Sequence, residues 1–376
     1  MMYTTRKLKI GKTQRLDELA HEAGQVYTAV VVLFWRVVRH NAHWLSKYAM
    51  MRLVRSLSLH SQTVQAIIDT FFESLDSWRA RRKTNPDAHP PRRRRWFHAI
   101  PFKESAISLK NGILKLSTGK GNEPVTMPWK YAKPKFCEIS FNGKAYVLNA
   151  TYVINTQNQV TGTDTAGIDL GEIHIAVVAT EKGVIIANGR VLRSKRRYQN
   201  KVKAHFSRKM DKRKKGSRRW KQLNKAKKKT LTGLNNQIND ILHKQTTKVV
   251  EAMNNDGVST VGIGDLRDIR QNVDYGKKAN QKIHQMPTGK VREMITYKAK
   301  RVGMAVRITD ESYTSQTCPK CGRRHKPGNR NYKCPCGFKY HRDGVGAVNI
   351  RQKTMYRELV PVVGEMNPPV GLRYIA

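Results

Sequence analysis

Four cysteines fall within nineteen residues, Cys318-Pro-Lys-Cys321, twelve residues, then Cys334-Pro-Cys336-Gly, and this spacing constrains the local fold more strictly than any other feature of the chain. Two tight thiol pairs at such a separation can close a tetrahedral Zn²⁺ site, and the neighbouring prolines and glycines suit the knuckle turns around it. A closed four-thiolate site leaves no position for water, so one structural zinc is expected. The second pair is C-x-C, where C-x-x-C is commoner. Cysteines in ligand pairs point to a reducing compartment and exclude a disulfide-stapled secreted domain. Cys137 stands alone and reads as a core thiol.

The rest of the chain is cationic. Lys and Arg number 72 against 27 Asp and Glu, a formal charge of +45 over 376 residues. Solubility needs far less, and a surface of this kind repels itself unless a polyanion covers it. Nucleic acid is the expected partner. A membrane is not: the longest apolar run, Val26 to Trp35, stops at Arg36 and is too short to span. The N-terminal MMYTTRKLKI lacks the apolar core of a secretion signal. A hydrophobic content of 39% with six Trp argues against a disordered basic tail.

Apolar side chains recur at Leu16, Leu19, Ala23, Val26, Val30, Leu33 and Val37, and again at Val64, Ile67, Ile68, Phe71, Leu75 and Trp78. Steps of three and four predict two amphipathic helices of a small bundle. Pro86, Pro90 and Pro91 then break the pattern before Arg92, Arg93, Arg94, Arg95, Trp96 and Phe97. Guanidinium groups beside aromatic planes suit phosphate contact with base stacking. Residues 105 to 154 alternate as strands, with Asn111-Gly112 as a hairpin turn, and predict a small sheet or barrel. A polar stretch from Asn155 to Thr165 marks the main boundary.

Beyond it, AGIDL, IHIAVVAT and GVIIA read as three strands. Arg190 to Thr230 carries 20 Lys or Arg in 41 residues with one acid, Asp211. Lys212, Arg213, Lys214, Lys215, Arg218 and Arg219 concentrate that charge. An amphipathic helix follows through Leu234, Ile238, Ile241, Leu242, Val249 and Met253. VSTVGIG (258 to 264) and MAVRI (304 to 308) are further strands, with a basic helix near 289 to 302 between them. This is an α/β order.

Two acids sit where such a fold exposes chemistry. Asp169 ends the apolar strand AGIDL beside Gly171. Asp343 lies in YHRDGVGAVNI, where Gly344, Gly346 and Ala347 allow a helix to approach closely. Two acids converging in so basic a chain suit Mg²⁺ held against a phosphate, since Mg²⁺ takes oxygen ligands and shares them with substrate.

GIDLG (167 to 171), LHK (242 to 244), YKAKRVG (297 to 303), YTSQTCPKCG (313 to 322) and HRDGVGAVNI (341 to 350) occur in the order of the TnpB family, which the chain resembles. That family comprises transposon-encoded RNA-guided nucleases related to type V CRISPR effectors. The resemblance implies an α+β multidomain protein. Residues 1–160 would form a β-barrel wedge with an inserted helical recognition lobe (helices about 16–80). Residues 161–311 and 341–376 would form an RNase H-like (RuvC) α/β nuclease domain, with a zinc ribbon inserted at 312–340.

The resemblance further implies an Asp, Glu, Asp site in which the Glu ends the fourth strand as x-E-D-L. Here that place reads Ile263-Gly264-Asp265-Leu266, so glycine replaces the acid, and Val345 stands where Asn is commonest. Asp265 should point away from the face of Gly264 by strand alternation. Glu311, just past the fifth strand and about 4.8 Å from the fourth, can reach across into the space Gly264 leaves. Glu311 is the expected third acid and Asp310 the reserve, while Glu172 and His174 are expected to be peripheral.

The implied function is RNA-guided DNA cleavage beside a short flanking motif, using two Mg²⁺ held by Asp169, Glu311 and Asp343 and leaving 5′-phosphate and 3′-hydroxyl ends. Guide RNA and target double-stranded DNA are the expected partners and the prokaryotic cytosol, at the nucleoid, the expected location. A heteroduplex of about 20 base pairs carries on the order of 40 phosphates, the scale of the chain's charge. The alternative is a nuclease-inactive RNA-guided DNA-binding repressor that keeps charge, ribbon and guide without the third acid.

Overall fold

The structure, a computed structural model, describes residues 2–92, 96–154, 162–266, 274–361 and 366–372. The chain divides into two compact units, Tyr3–Ile154 and Asn155–Ala376.

In the first unit, β1 (Met2–Ile10) leads into α1 (Gln14–Asn41), a short α2 (Lys47–Leu53) and α3 (Ser61–Arg82). The Thr13 hydroxyl caps α1 by accepting the Leu16 N–H at 3.2 Å, satisfying one of the amides a helix start leaves unpaired. Leu16, Leu19, Ala23, Val26 and Val30 of α1 are buried, as are Val64, Ile67, Ile68, Phe71, Leu75 and Trp78 of α3. Each large side chain so buried contributes about 1.5–3 kcal/mol. The predicted stripes therefore make most of the core faces, although Leu33 and Val37 are only partly buried and Phe34, outside the predicted stripe, is fully buried. The strands β2 (Ile100–Lys103), β3 (Ile107–Lys110), β4 (Ile113–Leu116), β5 (Val125–Pro128), β6 (Phe136–Phe141) and β7 (Tyr146–Ile154) follow. They lie in two sheets, ordered β1-β7-β6-β2 and β3-β4-β5. The β3–β4 hairpin turns on Asn111 and Gly112 at φ 50° and 70°, the left-handed pair that matches strand twist. Cys137 is buried in β6, and burial pushes its thiol up to about 12.

The second unit contains β8 (Asp164–Asp169), β9 (His174–Thr180), β10 (Gly183–Asn188), α4 (Arg190–Asp211), α5 (Arg218–Asn255), β11 (Val258–Gly264), α6 (Lys277–Gln285), α7 (Thr288–Arg301), β12 (Ala305–Thr309), β13 (Asn331–Lys333), β14 (Lys339–His341), α8 (Arg342–Tyr356) and β15 (Val370–Leu372). Its main sheet is ordered β12-β11-β8-β9-β10-β15. The first three chain strands, β8 to β10, are antiparallel neighbours, whereas β11 and β12 add parallel to β8. This is the mixed arrangement of an RNase H-type sheet. Ile168, Val261 and Ile263 share a core with Leu242 and Val249 of α5 and Ile295 of α7.

Small residues set the packing of α8. A side chain at Gly167 would lie 2.2 Å from the Arg351 amide nitrogen, and one at Gly262 would lie 1.8 Å from Thr354 Oγ1. Glycine in β8 and β11 therefore lets α8 lie directly on the strands that end at the acids.

Candidate metal centre

The register of the parallel strands sets the geometry. Gly262 pairs with Gly167 on one side, and Gly264 pairs with Thr309 on the other. Extending the β8–β11 register two residues puts Asp169 level with Gly264. Asp169, Gly264 and Thr309 thus form one row at the carboxyl ends of three strands, where open α/β sheets bind ligands. Two residues beyond Thr309, the chain brings Glu311 back over that row. A Cβ added at Gly264 would lie 1.8 Å from Glu311 Oε1 and 2.5 Å from its Cδ. The Glu311 carboxylate fills the space that a side chain at 264 would occupy. Asp169 lies under α8, with Oδ2 2.6 Å from where a Cβ on Gly346 would stand. Asp343 enters from the first turn of α8.

The electrostatics distinguish the three acids. Burial, followed by the charges of Glu311 and Asp343, lifts Asp169 well above the usual carboxylate range. Burial, followed by the charges of Asp265 and Asp310, lifts Glu311 to about 7. Asp343 goes the other way. Burial pushes it up, but the His174 hydrogen bond and the charge of Arg330 outweigh that and hold it at about 2. His174 Nδ1 and Arg330 Nη1 lie 2.9 Å and 2.7 Å from Asp343 Oδ2. His174, expected to be peripheral, is instead in contact with one of the acids. It opens β9, and nothing local in IHIAVVAT announces a partner 169 positions away.

The other acids fall aside. Asp310 forms an ion pair with Lys353 at 2.8 Å and is 68% exposed. Glu172 pairs with Arg193 at 2.9 Å. Asp265 turns to Arg292 of α7 at 3.5 Å, yet it stays near enough to raise Glu311, so alternation separates it from Gly264 less completely than expected. Among the described residues, Asp169, Glu311 and Asp343 do not bring three ligand atoms within 4.8 Å of one another; Cys318, Cys321, Cys334 and Cys336 do, and so do His174, His341 and Asp343. Glu311 Oε1 is buried with no hydrogen-bond partner among the described residues. A buried carboxylate oxygen left unpaired costs folding free energy, and a cation is the partner its chemistry fits.

The cysteines form a second centre. Cys318 Sγ lies 3.7 Å from Cys336 Sγ, and Cys321 Sγ 3.6 Å from Cys334 Sγ. A tetrahedron with Zn–S bonds of about 2.3 Å has sulfur–sulfur edges near 3.8 Å, whereas a disulfide would require about 2.05 Å. The four thiols can hold one zinc. The β13–β14 turn carries Cys334 and Cys336 and the preceding turn carries Cys318 and Cys321, while Tyr332 of β13 is fully buried against Cys318, Cys334 and Val345. The Phe338 amide helps hold the Cys336 thiol down at about 7, favouring the thiolate that a metal binds.

The cationic segment is a helical hairpin. α4 and α5 run antiparallel, joined by hydrogen bonds from Gln199 to Asn235 at 2.5 Å and from Lys227 to Ser207 at 2.9 Å. Lys212, Arg213, Lys214, Lys215, Arg218 and Arg219 are all exposed at its tip. In the first unit Arg92 and Trp96 are both exposed. Arg93, Arg94 and Arg95 lie outside the described residues. No helix among the described residues is long and apolar enough to cross a membrane.

Known proteins align with these features. Residues 148–270 match the family described as "Probable transposase", and residues 289–350 match "Cas12f1-like, TNB domain". The chain is 28% identical over 233 residues to "TnpB-like protein MJ0751" of Methanocaldococcus jannaschii, covering 60% of this chain and 81% of that one. It is 30% identical over 112 residues to "CRISPR-associated endodeoxyribonuclease Cas12f1" of Sulfoacidibacillus thermotolerans, covering 29% of this chain and 25% of that protein. The solved "Cas12f1-sgRNA-target DNA complex" superposes with a TM-score of 0.62 at 15% identity, over 90% of this chain and 83% of that one, which establishes a shared fold. Taken with the ordered motifs from GIDLG to HRDGVGAVNI, these matches support the TnpB family as the one this chain is similar to.

Proposed function

We propose that the protein is an RNA-guided DNA endonuclease of a transposable element, with Glu311 as the relocated third acid of its nuclease site. The observation that carries this reading is the Glu311 carboxylate standing where a side chain at Gly264 would be, with a buried and unpaired oxygen. A surface acid would be solvated, and a structural one would be hydrogen-bonded.

Asp169, Glu311 and Asp343 are the residues that would hold Mg²⁺. Two Mg²⁺ ions bound there would lower the pKa of an attacking water and neutralise charge developing on the leaving oxygen. The chain supplies the rest. The strand ends fix Asp169, and α8 fixes Asp343, so the carboxylates are positioned before substrate arrives. Burial and mutual repulsion raise the cost of ionising Asp169 and Glu311, so the site favours a multivalent cation over solvent. The α4–α5 tip offers Lys212, Arg213, Lys214, Lys215, Arg218 and Arg219 to nucleic-acid phosphates. Arg92 to Arg95 and Trp96 are proposed to do the same in the first unit. Guide pairing would read sequence, and the protein would read only a short flanking motif in double-stranded DNA.

The test is purified ribonucleoprotein incubated with a plasmid library and Mg²⁺. Cleavage beside one motif by the parent, with none by Glu311→Gln at unchanged RNA and target binding, supports the reading. Guided binding without cleavage by the parent favours the repressor alternative, which the glycine at 264 motivates.

A further inference from the structure

Asp343 does not meet its neighbours as a bare carboxylate. His174, His341 and Asp343 each offer a ligand atom, and the three lie within 4.8 Å of one another. The two imidazole rings sit with centroids 5.1 Å apart and planes inclined at 60°. The His174 side chain is 11% exposed and that of Asp343 15%. His341 Nδ1 is buried and has no hydrogen-bond partner among the described residues. A buried imidazole nitrogen without a partner is an unmet coordination position, independent of the His174–Asp343 contact.

We infer that His174, His341 and Asp343 form a two-histidine, one-carboxylate site for a first-row transition cation of the Fe²⁺, Co²⁺ or Zn²⁺ class. The inference rests on the nuclease reading for the site's purpose, but not for its existence. Mg²⁺ is a hard ion that takes oxygen ligands and keeps its water, whereas neutral imidazole suits the later divalent metals. Two nitrogen ligands beside one oxygen therefore favour one of these later metals at this trio, in competition with Mg²⁺ for Asp343. Three protein ligands leave positions open for water or a phosphate oxygen.

Cationic side chains now occupy part of that space. Arg330 Nη1 lies 2.7 Å from Asp343 Oδ2, and Arg342 Nε 3.6 Å from Oδ1. Arg330 is carried by the cysteine ribbon and its side chain is 39% exposed, so it can swing into solvent when a cation enters. Arg330 is thus a competitor for the carboxylate.

The experiment titrates CoCl₂ into zinc-loaded, RNA-free protein in a large excess of MgCl₂, followed by calorimetry and by paramagnetically shifted imidazole signals in proton NMR. Co²⁺ is chosen because zinc already fills the thiolates, which bind it more tightly. The expected result is one Co²⁺ per chain beyond the zinc, with shifted histidine ring signals in the unmutated protein. His174→Ala and His341→Ala should each weaken binding at least about tenfold, and Arg330→Ala should tighten it. An absence of Co²⁺ uptake, or of shifted histidine signals in the unmutated protein, overturns the inference. So does equal binding by parent and histidine variants when Asp343→Asn abolishes it, which would indicate carboxylate ligation alone. Because no cleavage is read, either failure leaves the nuclease proposal standing to be tested separately.

Discussion

Replacing Glu311 by Gln should make the zinc-loaded, Mg²⁺-free protein more stable at neutral and alkaline pH while destroying its activity. Burial and neighbouring charges raise the Glu311 carboxyl from 4.5 to about 7. Between those values the folded state holds a proton that the unfolded chain has released, so stability falls as pH rises through this window. Below about 4.5 there is no penalty; above about 7 it is complete. A shift of this size corresponds to about 3 kcal/mol at full ionisation, and Gln keeps the shape without the charge. The gain of the variant over the parent should therefore grow by about 3 kcal/mol from acid to pH 8. With about 2–4 °C per kcal/mol for a unit of this size, the melting temperature should separate by up to about 6–12 °C. Thermal unfolding of zinc-loaded protein, with no other divalent cation present, measures this across pH. A carboxylate kept for folding would behave oppositely, so a variant that is less stable at pH 8, or whose difference from the parent is flat with pH, refutes the reasoning.

The zinc ribbon should hold one zinc per chain by elemental analysis, and Cys318→Ser should bring this below half an equivalent while lowering folded yield. RNA co-purifying with the protein should dissociate steeply with salt, and replacing Lys212, Arg213, Lys214 and Lys215 by Ala should reduce the slope of log affinity against log salt by up to about four. Gly264→Ala puts a Cβ 1.8 Å from Glu311 Oε1, so it should displace that carboxylate and cut Mg²⁺-dependent cleavage by at least about a hundredfold (roughly 2.7 kcal/mol) without unfolding the sheet.

Much of this was legible because the informative segments are short, apolar and bounded. AGIDL, IHIAVVAT, GVIIA and VSTVGIG could hardly be anything but buried strands, and β8 to β11 follow them closely. The position of Glu311 followed from strand neighbourhood and a period of two. The cationic segment was harder to read. α4 buries only Leu192 and Met210 among its described residues, so no apolar stripe marks it as a helix, and its order comes from packing on α5. β15 is three residues long and pairs with β10, far away in sequence. LHK and YKAKRVG were visible as motifs without a reason. The structure supplies one: Lys298 Nζ donates to His243 O at 2.6 Å, to Thr246 Oγ1 at 2.8 Å and to Thr247 Oγ1 at 2.6 Å. That joint ties α7 to α5. The His174–Asp343 contact was hidden for the same cause: its partner, on α8, is 169 positions away and is brought near only by the completed fold.

The central claim is that Glu311 performs from the end of β12 what a glutamate at 264 would perform from the end of β11. A charge swap tests it most directly: guided, Mg²⁺-dependent DNA cleavage by the parent, by Glu311→Ala, and by the double variant Gly264→Glu, Glu311→Ala. The parent should cleave, the single variant should not, and the double variant should recover cleavage, because the carboxylate returns to the same space from the neighbouring strand. Cleavage by Glu311→Ala at the parent's rate would contradict the account.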